Sequence, residues 1–106
     1  MKQYILVGHT PFEATDIREW AQWFEHFPDD RIVAQTTIGS HVISTAFMGL
    51  DLDIRATSEI PLLFETAVFD TGSGSRSMVF ASRTRSWDEA EARHREIVET
   101  MLASKK

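Results

Sequence analysis

The feature that most constrains the fold is the stretch 61–70, P-L-L-F-E-T-A-V-F-D, a strand-length apolar run with one charged residue, Glu65, at its centre. Successive side chains of a strand point to opposite faces of a sheet. Here that alternation makes both faces apolar, with Leu63, Ala67 and Phe69 on one face and Leu62, Phe64 and Val68 on the other. We therefore predict a strand in a sheet that must exclude water on both sides.

The segments that flank this run also have the period of strands. Arg31 to Ile38 and His41 to Leu50 are rich in β-branched residues, and the two-residue link Gly39-Ser40 between them is typical of a tight hairpin. After the central run, a turn of mostly small polar residues at 71–77 leads into another predicted strand, Ser77 to Arg83. We expect most of the sheet to be antiparallel.

The N-terminal part of the chain predicts a short strand, Tyr4 to Val7, followed by a helix. Thr10, Pro11 and Glu13 have the residue types and the spacing of a helix start. The predicted helix ends before Pro28. Its apolar stripe consists of Ile17, Trp20, Ala21, Phe24 and Phe27, and leaves Trp23 outside.

A second helix is predicted at the C-terminal end of the chain. Ser86 and Glu89 form a capping-box pattern, and the helix that they open is expected to run to about Ala103. Its apolar stripe contains one histidine and consists of Ala90, His94, Ile97, Val98, Met101 and Leu102.

These elements predict one α+β domain over residues 1–106, a β-α-β-β-β-β-α two-layer sandwich whose mainly antiparallel five-stranded sheet has both helices on one face. Two helices ~10 Å apart cover one face of such a sheet and not two. The second face must curl on itself, pack under the 51–59 loop, or bind a partner. The predicted binding surface consists of Leu62, Phe64, Val68, Met48 and Leu50.

Composition limits the function classes. The net charge of -5 disfavours direct binding of nucleic acid, which requires clustered basic residues. No apolar run approaches the ~20 residues of a membrane-spanning helix. The absence of cysteine excludes disulfides and thiolate metal sites, and fits a reducing cytosol. No cofactor is expected.

Four segments together resemble a family of small proteins found in bacteriophages, prophages and some bacteria. They are R-I-V-A-Q-T-T-I-G at 31–39, V-I-S-T-A-F-M-G-L-D at 42–51, P-L-L-F-E-T-A-V-F at 61–69 and W-D-E-A-E-A-R-H at 87–94. The resemblance implies an accessory or host-directed role in phage biology, and with it a location in the cytosol of a bacterial host. It implies no chemistry, because the family has no assigned activity.

Glu65 and His94 are the candidate catalytic residues. A helix packed over the central strand would bring the imidazole to the carboxylate, which is a pairing used in acid-base catalysis. The structural alternative is a hydrogen-bonded pair that joins helix to sheet. Asp51 is a further candidate, and with Asp53 it offers carboxylates at a strand end. Such acids are more often solvated than metal-bound, so no metal site is predicted.

Three hypotheses for the function follow. The first is a non-enzymatic interaction protein that binds a protein partner or dimerises through the apolar sheet face. The second is a small-ligand binder or acid-base enzyme that uses Glu65 and His94. The third is an acidic mimic of nucleic acid that inhibits a DNA-binding partner through Asp51, Asp53, Glu59, Glu89 and Glu91.

Overall fold

A computed structural model describes residues 2–51 and 61–104, and these residues form six strands and two helices. The α+β class is confirmed. In chain order the elements are β1 (Tyr4–Val7), β2 (Thr10–Glu13), α1 (Ile17–His26), β3 (Ile32–Ile38), β4 (His41–Phe47), β5 (Phe64–Asp70), β6 (Ser77–Thr84) and α2 (Trp87–Ser104).

The main sheet is antiparallel and has the order β3-β4-β5-β6 among the described residues. The predicted central hairpin is confirmed, since Ile38 lies opposite His41 and the positive φ of 60° at Gly39 suits a tight two-residue turn. Strand β5 pairs with β4 on one side and with β6 on the other. The apolar run on which the predictions centred therefore lies inside the sheet.

The N-terminal segment differs from the prediction. Residues 4–13 form a separate two-stranded hairpin, β1-β2, with Val7 opposite Thr10 and a positive φ of 62° at Gly8 in the turn. The predicted five-stranded sheet and the predicted helix start at Thr10 are therefore both wrong. Thr10 and its neighbours also suit the second arm of a hairpin, and Gly8 supplies the turn conformation that the arm requires.

Helix α1 begins at Ile17 because a better cap is available there. The side chain of Asp16 accepts a hydrogen bond from the backbone N–H of Glu19 at 2.9 Å. The Glu19 carboxylate in turn accepts one from the backbone N–H of Thr15 at 2.9 Å. The first bond satisfies an amide group that a helix start leaves without a partner, and the second fixes the residue before the cap.

Helix α2 packs across one face of the main sheet. Its predicted start is confirmed, because the Ser86 hydroxyl accepts a hydrogen bond from the backbone N–H of Glu89 at 3.1 Å. The cluster beneath the C-terminal half of α2 consists of Ile38, Ile43 and Val68 with Ile97, Val98 and Met101. In the described ranges, no helix is long and apolar enough to cross a membrane.

Helix α1 packs on the same side, beyond the N-terminal end of α2. Phe24 stacks on Phe47 with ring centroids 6.1 Å apart, and Trp23 meets Phe47 edge-on at 5.8 Å. Trp23 thus belongs to the core, whereas Ile17 is 64% exposed, so the predicted stripe of this helix is rotated from the observed one. The buried residues of this cluster are Leu6, Phe47, Leu63, Phe64 and Ala90.

The predicted binding surface is wrong in its central residues. Phe64 and Val68 are only 0% and 4% exposed, because they belong to the two clusters beneath the helices. Leu62 is 36% exposed, and Met48 and Leu50 are half-buried. The face turned away from α2 is the one that carries Ala46, Ala67 and Phe69. Of the predicted 51–59 loop, residues 52–59 lie outside the described residues.

Candidate functional site

The imidazole of His94, on the inner side of α2, contacts a buried cluster of threonine hydroxyl groups. Its Nδ1 lies 2.7 Å from the Thr45 hydroxyl and its Nε2 lies 2.9 Å from the Thr36 hydroxyl. The hydroxyls of Thr45 and Thr66 are 2.7 Å apart. Because a hydroxyl both donates and accepts, this arrangement satisfies both ring nitrogens in either neutral tautomer.

The environment of His94 favours its uncharged form. The residue is 6% exposed, and burial lowers its pKa below the usual value. The imidazole thus joins α2 directly to β3 and β4, and the Thr45 hydroxyl extends this network to Thr66 on β5. A general acid or base must reach a substrate, whereas the ring of His94 is buried against these hydroxyls.

Glu65 lies on the opposite face of the sheet from His94. Its neighbour Thr66 points towards α2, so alternation directs Glu65 away from the helix. The cross-strand partner of Glu65 is Arg83, whose Nε lies 3.4 Å from Oε2, and Arg83 also donates to the Leu62 carbonyl at 3.1 Å. The expected pairing of Glu65 with His94 is therefore wrong.

The other acidic candidates do not extend this site. The backbone N–H of Asp51 donates to the Lys2 carbonyl at 3.1 Å, beside the bridge between Gln3 and Leu50. Asp53 lies outside the described residues. In the part of the chain that the structure describes, no three histidine or acidic side chains are placed to hold a metal ion.

Strand β6 exposes a row of large apolar side chains at an edge of the main sheet. Met78, Val79 and Phe80 are 54%, 57% and 49% exposed. In the described chain, β6 pairs with β5 alone, so the backbone groups along its other side have no strand partner. The opposite edge, β3, instead exposes the polar residues Gln35 and Thr37. We call residues 77–81 the β6 edge.

A bulge divides the β6 edge. Phe69 lies opposite Met78 while Val68 lies opposite Phe80, so Val79 is the extra residue. Bulges are one of the devices that hinder pairing at sheet edges. Charged residues and proline are others, and residues 77–81, S-M-V-F-A, contain neither. The sequence predicted this strand but not its position at an edge, because the order of strands depends on long-range pairing.

A cleft lies where the β1-β2 turn, the segment after α1 and the start of α2 meet. Its volume is about 380 Å³. The imidazole of His9 stacks on the indole of Trp87, with centroids 3.7 Å apart and an angle of 4° between the planes. The residues that line the cleft are Leu6, Gly8, His9, Trp23, Asp29, Asp30, Ile32 and Trp87.

Sequence patterns gave no indication of this cleft. Its residues come from separate elements and have no common spacing along the chain.

Comparison with models of protein families, with curated proteins and with solved structures finds no match. The resemblance to small phage and bacterial proteins therefore stays a prediction. The functional argument depends on the geometry of this chain alone.

Proposed function

We propose that this protein is a non-enzymatic interaction protein that pairs with a second copy of itself through the β6 edge. The observation that carries the proposal is the exposure of Met78, Val79 and Phe80 at 54%, 57% and 49% on an edge strand. Exposed apolar edges of this kind are templates for the addition of another strand.

The chemistry of the β6 edge suits a second copy. A two-fold axis perpendicular to the sheet places two β6 strands antiparallel and brings the same residues of both copies together. Because residues 77–81 carry no charge, the two edges meet without repulsion between like charges. The bulge at Val79 restricts regular ladder pairing to the segments on either side of it.

The apolar surface available to such a dimer extends beyond the strand. Phe80 lies opposite Val68, which packs against the C-terminal half of α2, and in that half Leu102 is 49% exposed. A stable interface buries ~1,200–2,000 Å² in total, more than backbone pairing of one short strand provides. We therefore include Leu102 and the Phe80 side chain in the proposed interface.

Sedimentation velocity over a range of concentrations tests this proposal. The chain mass is 12.1 kDa, and we expect the wild type to approach twice that mass as concentration rises. Phe80→Lys and Met78→Lys place a charge in the interface and should give monomers at the same concentrations. Thr37→Lys, at the exposed β3 edge, is the matched control and should associate like the wild type. A wild type that stays monomeric throughout, or equal loss of association in Thr37→Lys, would overturn the proposal.

The other hypotheses receive less support from the geometry. The enzyme hypothesis required Glu65 beside His94, and these two residues lie on opposite faces. The acidic-mimic hypothesis stays a prediction, because Asp53 and Glu59 lie outside the described residues. The phage-related role and the location in a bacterial cytosol also stay predictions, because they depend on the resemblance.

A further inference from the structure

We propose that the cleft between the β1-β2 turn and the start of α2 binds a small organic cation through an ammonium group. This site is separate from the β6 edge, and the proposal does not depend on self-association. Three properties of the cleft carry it, namely its aromatic walls, its charge and its size.

The aromatic walls are two indole rings held in place by other contacts. The indole N–H of Trp87 donates to the Glu91 carboxylate at 2.6 Å, and the ring meets Phe64 edge-on at 6.2 Å. Trp23 meets Phe47 edge-on at 5.8 Å. Fixed indoles attract organic cations through the negative potential of their faces, and tryptophan is the strongest of the aromatic residues in this respect.

The imidazole of His9 stacks on one face of the Trp87 indole at the cleft. The two rings are nearly parallel, and both line the cavity. The His9 ring covers this face of Trp87, so the proposal requires the exposed His9 side chain, which follows Gly8 in a tight turn, to swing aside when a ligand enters. The Trp87 face then becomes available to the ligand.

The charge of the cleft selects a cation. Asp29 and Asp30 contribute two carboxylates, whereas the described residues that line the cleft include neither lysine nor arginine. The two carboxylates would repel ligands that carry a phosphate or a carboxylate. An alkylated ammonium group suits the combination of indoles and carboxylates, because it is weakly hydrated and makes no demand for several oxygen ligands at fixed distances, as Ca²⁺ and Mg²⁺ do.

The size of the cleft points to a small molecule. Its volume of about 380 Å³ lies at the lower end of the ~300–1,000 Å³ that is typical of ligand sites. That space suits a trimethylammonium compound with a short polar tail. An ammonium group is also carried by lysine side chains, and the choice of probes below distinguishes the two sources.

Titration with choline, followed through the indole N–H signals in ¹H-¹⁵N NMR spectra, tests the proposal. The signals are assigned with single Trp→Phe variants. We expect saturable shifts of the Trp23 and Trp87 signals and no shift for Trp20, which contacts Gly49 and does not line the cleft. The neutral isostere 3,3-dimethylbutan-1-ol has the same shape without the charge and should bind about three- to tenfold more weakly. Equal shifts with both compounds, or no saturation with choline, would overturn the proposal.

Variants that remove charge test the role of the two carboxylates in choline binding. Asp29→Asn with Asp30→Asn should weaken choline binding about three- to tenfold. Glu25→Gln with Glu99→Gln removes the same charge from exposed positions outside the cleft and should leave binding unchanged. Equal affinity of these two double variants would contradict the assignment of the carboxylates.

The source of the ammonium group is tested with N-acetyl-lysine N-methylamide. Weaker binding than choline supports a free small molecule as the ligand, and tighter binding overturns that part of the proposal in favour of a protein side chain. Phe80→Lys, which is designed to prevent self-association, should bind choline like the wild type. The two proposals can therefore fail independently.

Discussion

The His94 side chain of α2 is buried against the main sheet, and this makes the stability of the fold depend on pH. Burial lowers its pKa in the folded state, while the unfolded chain keeps a pKa near the usual ~6.5. Between these two values the unfolded state binds more protons than the folded state. The stabilising contribution is thus complete above pH ~6.5 and is lost as the pH falls towards the pKa of the folded protein.

We predict that wild-type protein loses free energy of unfolding between pH 7.5 and 5.5, by at most ~1.4 kcal/mol per pH unit from this group. Urea unfolding at both values measures it. His94→Gln keeps a hydrogen-bonding side chain without the titration and should lose less over the same range. Equal losses in the two proteins, or an NMR titration that places the His94 pKa at or above ~6.5, would refute this account.

Gly49 marks a close approach between the end of β4 and the N-terminal elements. It has a positive φ of 72°, and a Cβ there would lie 2.7 Å from the Tyr4 carbonyl oxygen and 2.8 Å from the Trp20 indole nitrogen. Its carbonyl accepts a hydrogen bond from the Tyr4 N–H at 2.7 Å. The glycine therefore brings the β1-β2 hairpin and α1 against the main sheet.

We predict that Gly49→Ala destabilises the protein by ~2–4 kcal/mol, from the backbone strain and the displaced backbone contact together. Gly74→Ala is the matched control, because Gly74 also has a positive φ, 84°, but a Cβ added there would meet no atom within 4 Å. It should cost ~1 kcal/mol. Thermal and urea unfolding measure both variants, and equal effects would show that the close approach is unimportant.

The residues of the catalytic hypothesis show what sequence can and cannot determine at this scale. The helical period correctly placed His94 on the inward side of α2, since that period follows from local geometry. Strand alternation correctly separated Glu65 from Phe64 and Val68. Which of the two strand faces receives the helix is a tertiary property, and the choice of the wrong face produced the wrong pairing.

At the scale of elements, the start of α1 is a competition between two capping patterns. Asp16 accepts from the Glu19 N–H, and Glu19 accepts from the N–H of Thr15, the residue before the cap, whereas Thr10 lies in β2 opposite Val7. We predict that Asp16→Ala lowers the free energy of unfolding by ~1 kcal/mol, because it removes the acceptor for the Glu19 N–H.

Thr10→Ala serves as the control for this prediction. Thr10 is exposed, and the replacement should change stability by less than ~0.5 kcal/mol. Urea unfolding followed by far-ultraviolet circular dichroism measures both variants. A larger cost at Thr10 than at Asp16 would restore the earlier helix start that the sequence predicted.

The elements that sequence predicted correctly are those with unambiguous local signals. The β3-β4 hairpin has a glycine turn between two β-branched runs, and α2 has a cap, a long apolar period and no glycine or proline. The segment 10–13 satisfies the criteria of a helix start and of a hairpin arm alike. Its true state depends on contacts with the rest of the molecule.

At the scale of the whole molecule, both helices lie on one face of the main sheet. The apolar side chains that stay exposed include those of the β6 edge. The sequence predicted that two helices would leave the second apolar face of the sheet uncovered. It assigned the uncovered surface to Phe64 and Val68, which are buried. The large exposed apolar side chains of the main sheet lie instead on β6, which has one strand neighbour in the described chain.

Disulfide cross-linking tests the pairing of two β6 edges most directly, since the chain contains no cysteine of its own. Single cysteines are introduced at each position from Ser77 to Ser82, with Thr37→Cys on the β3 edge as the control. Opposite residues of an antiparallel pair have Cα atoms ~4.5–5.5 Å apart, which is within reach of a disulfide. The account predicts that one position or two neighbouring positions of β6, those nearest the two-fold axis, form covalent dimers on mild oxidation at micromolar concentration, and that Thr37→Cys does not. Cross-linking at no β6 position, or to the same extent at Thr37, would contradict it.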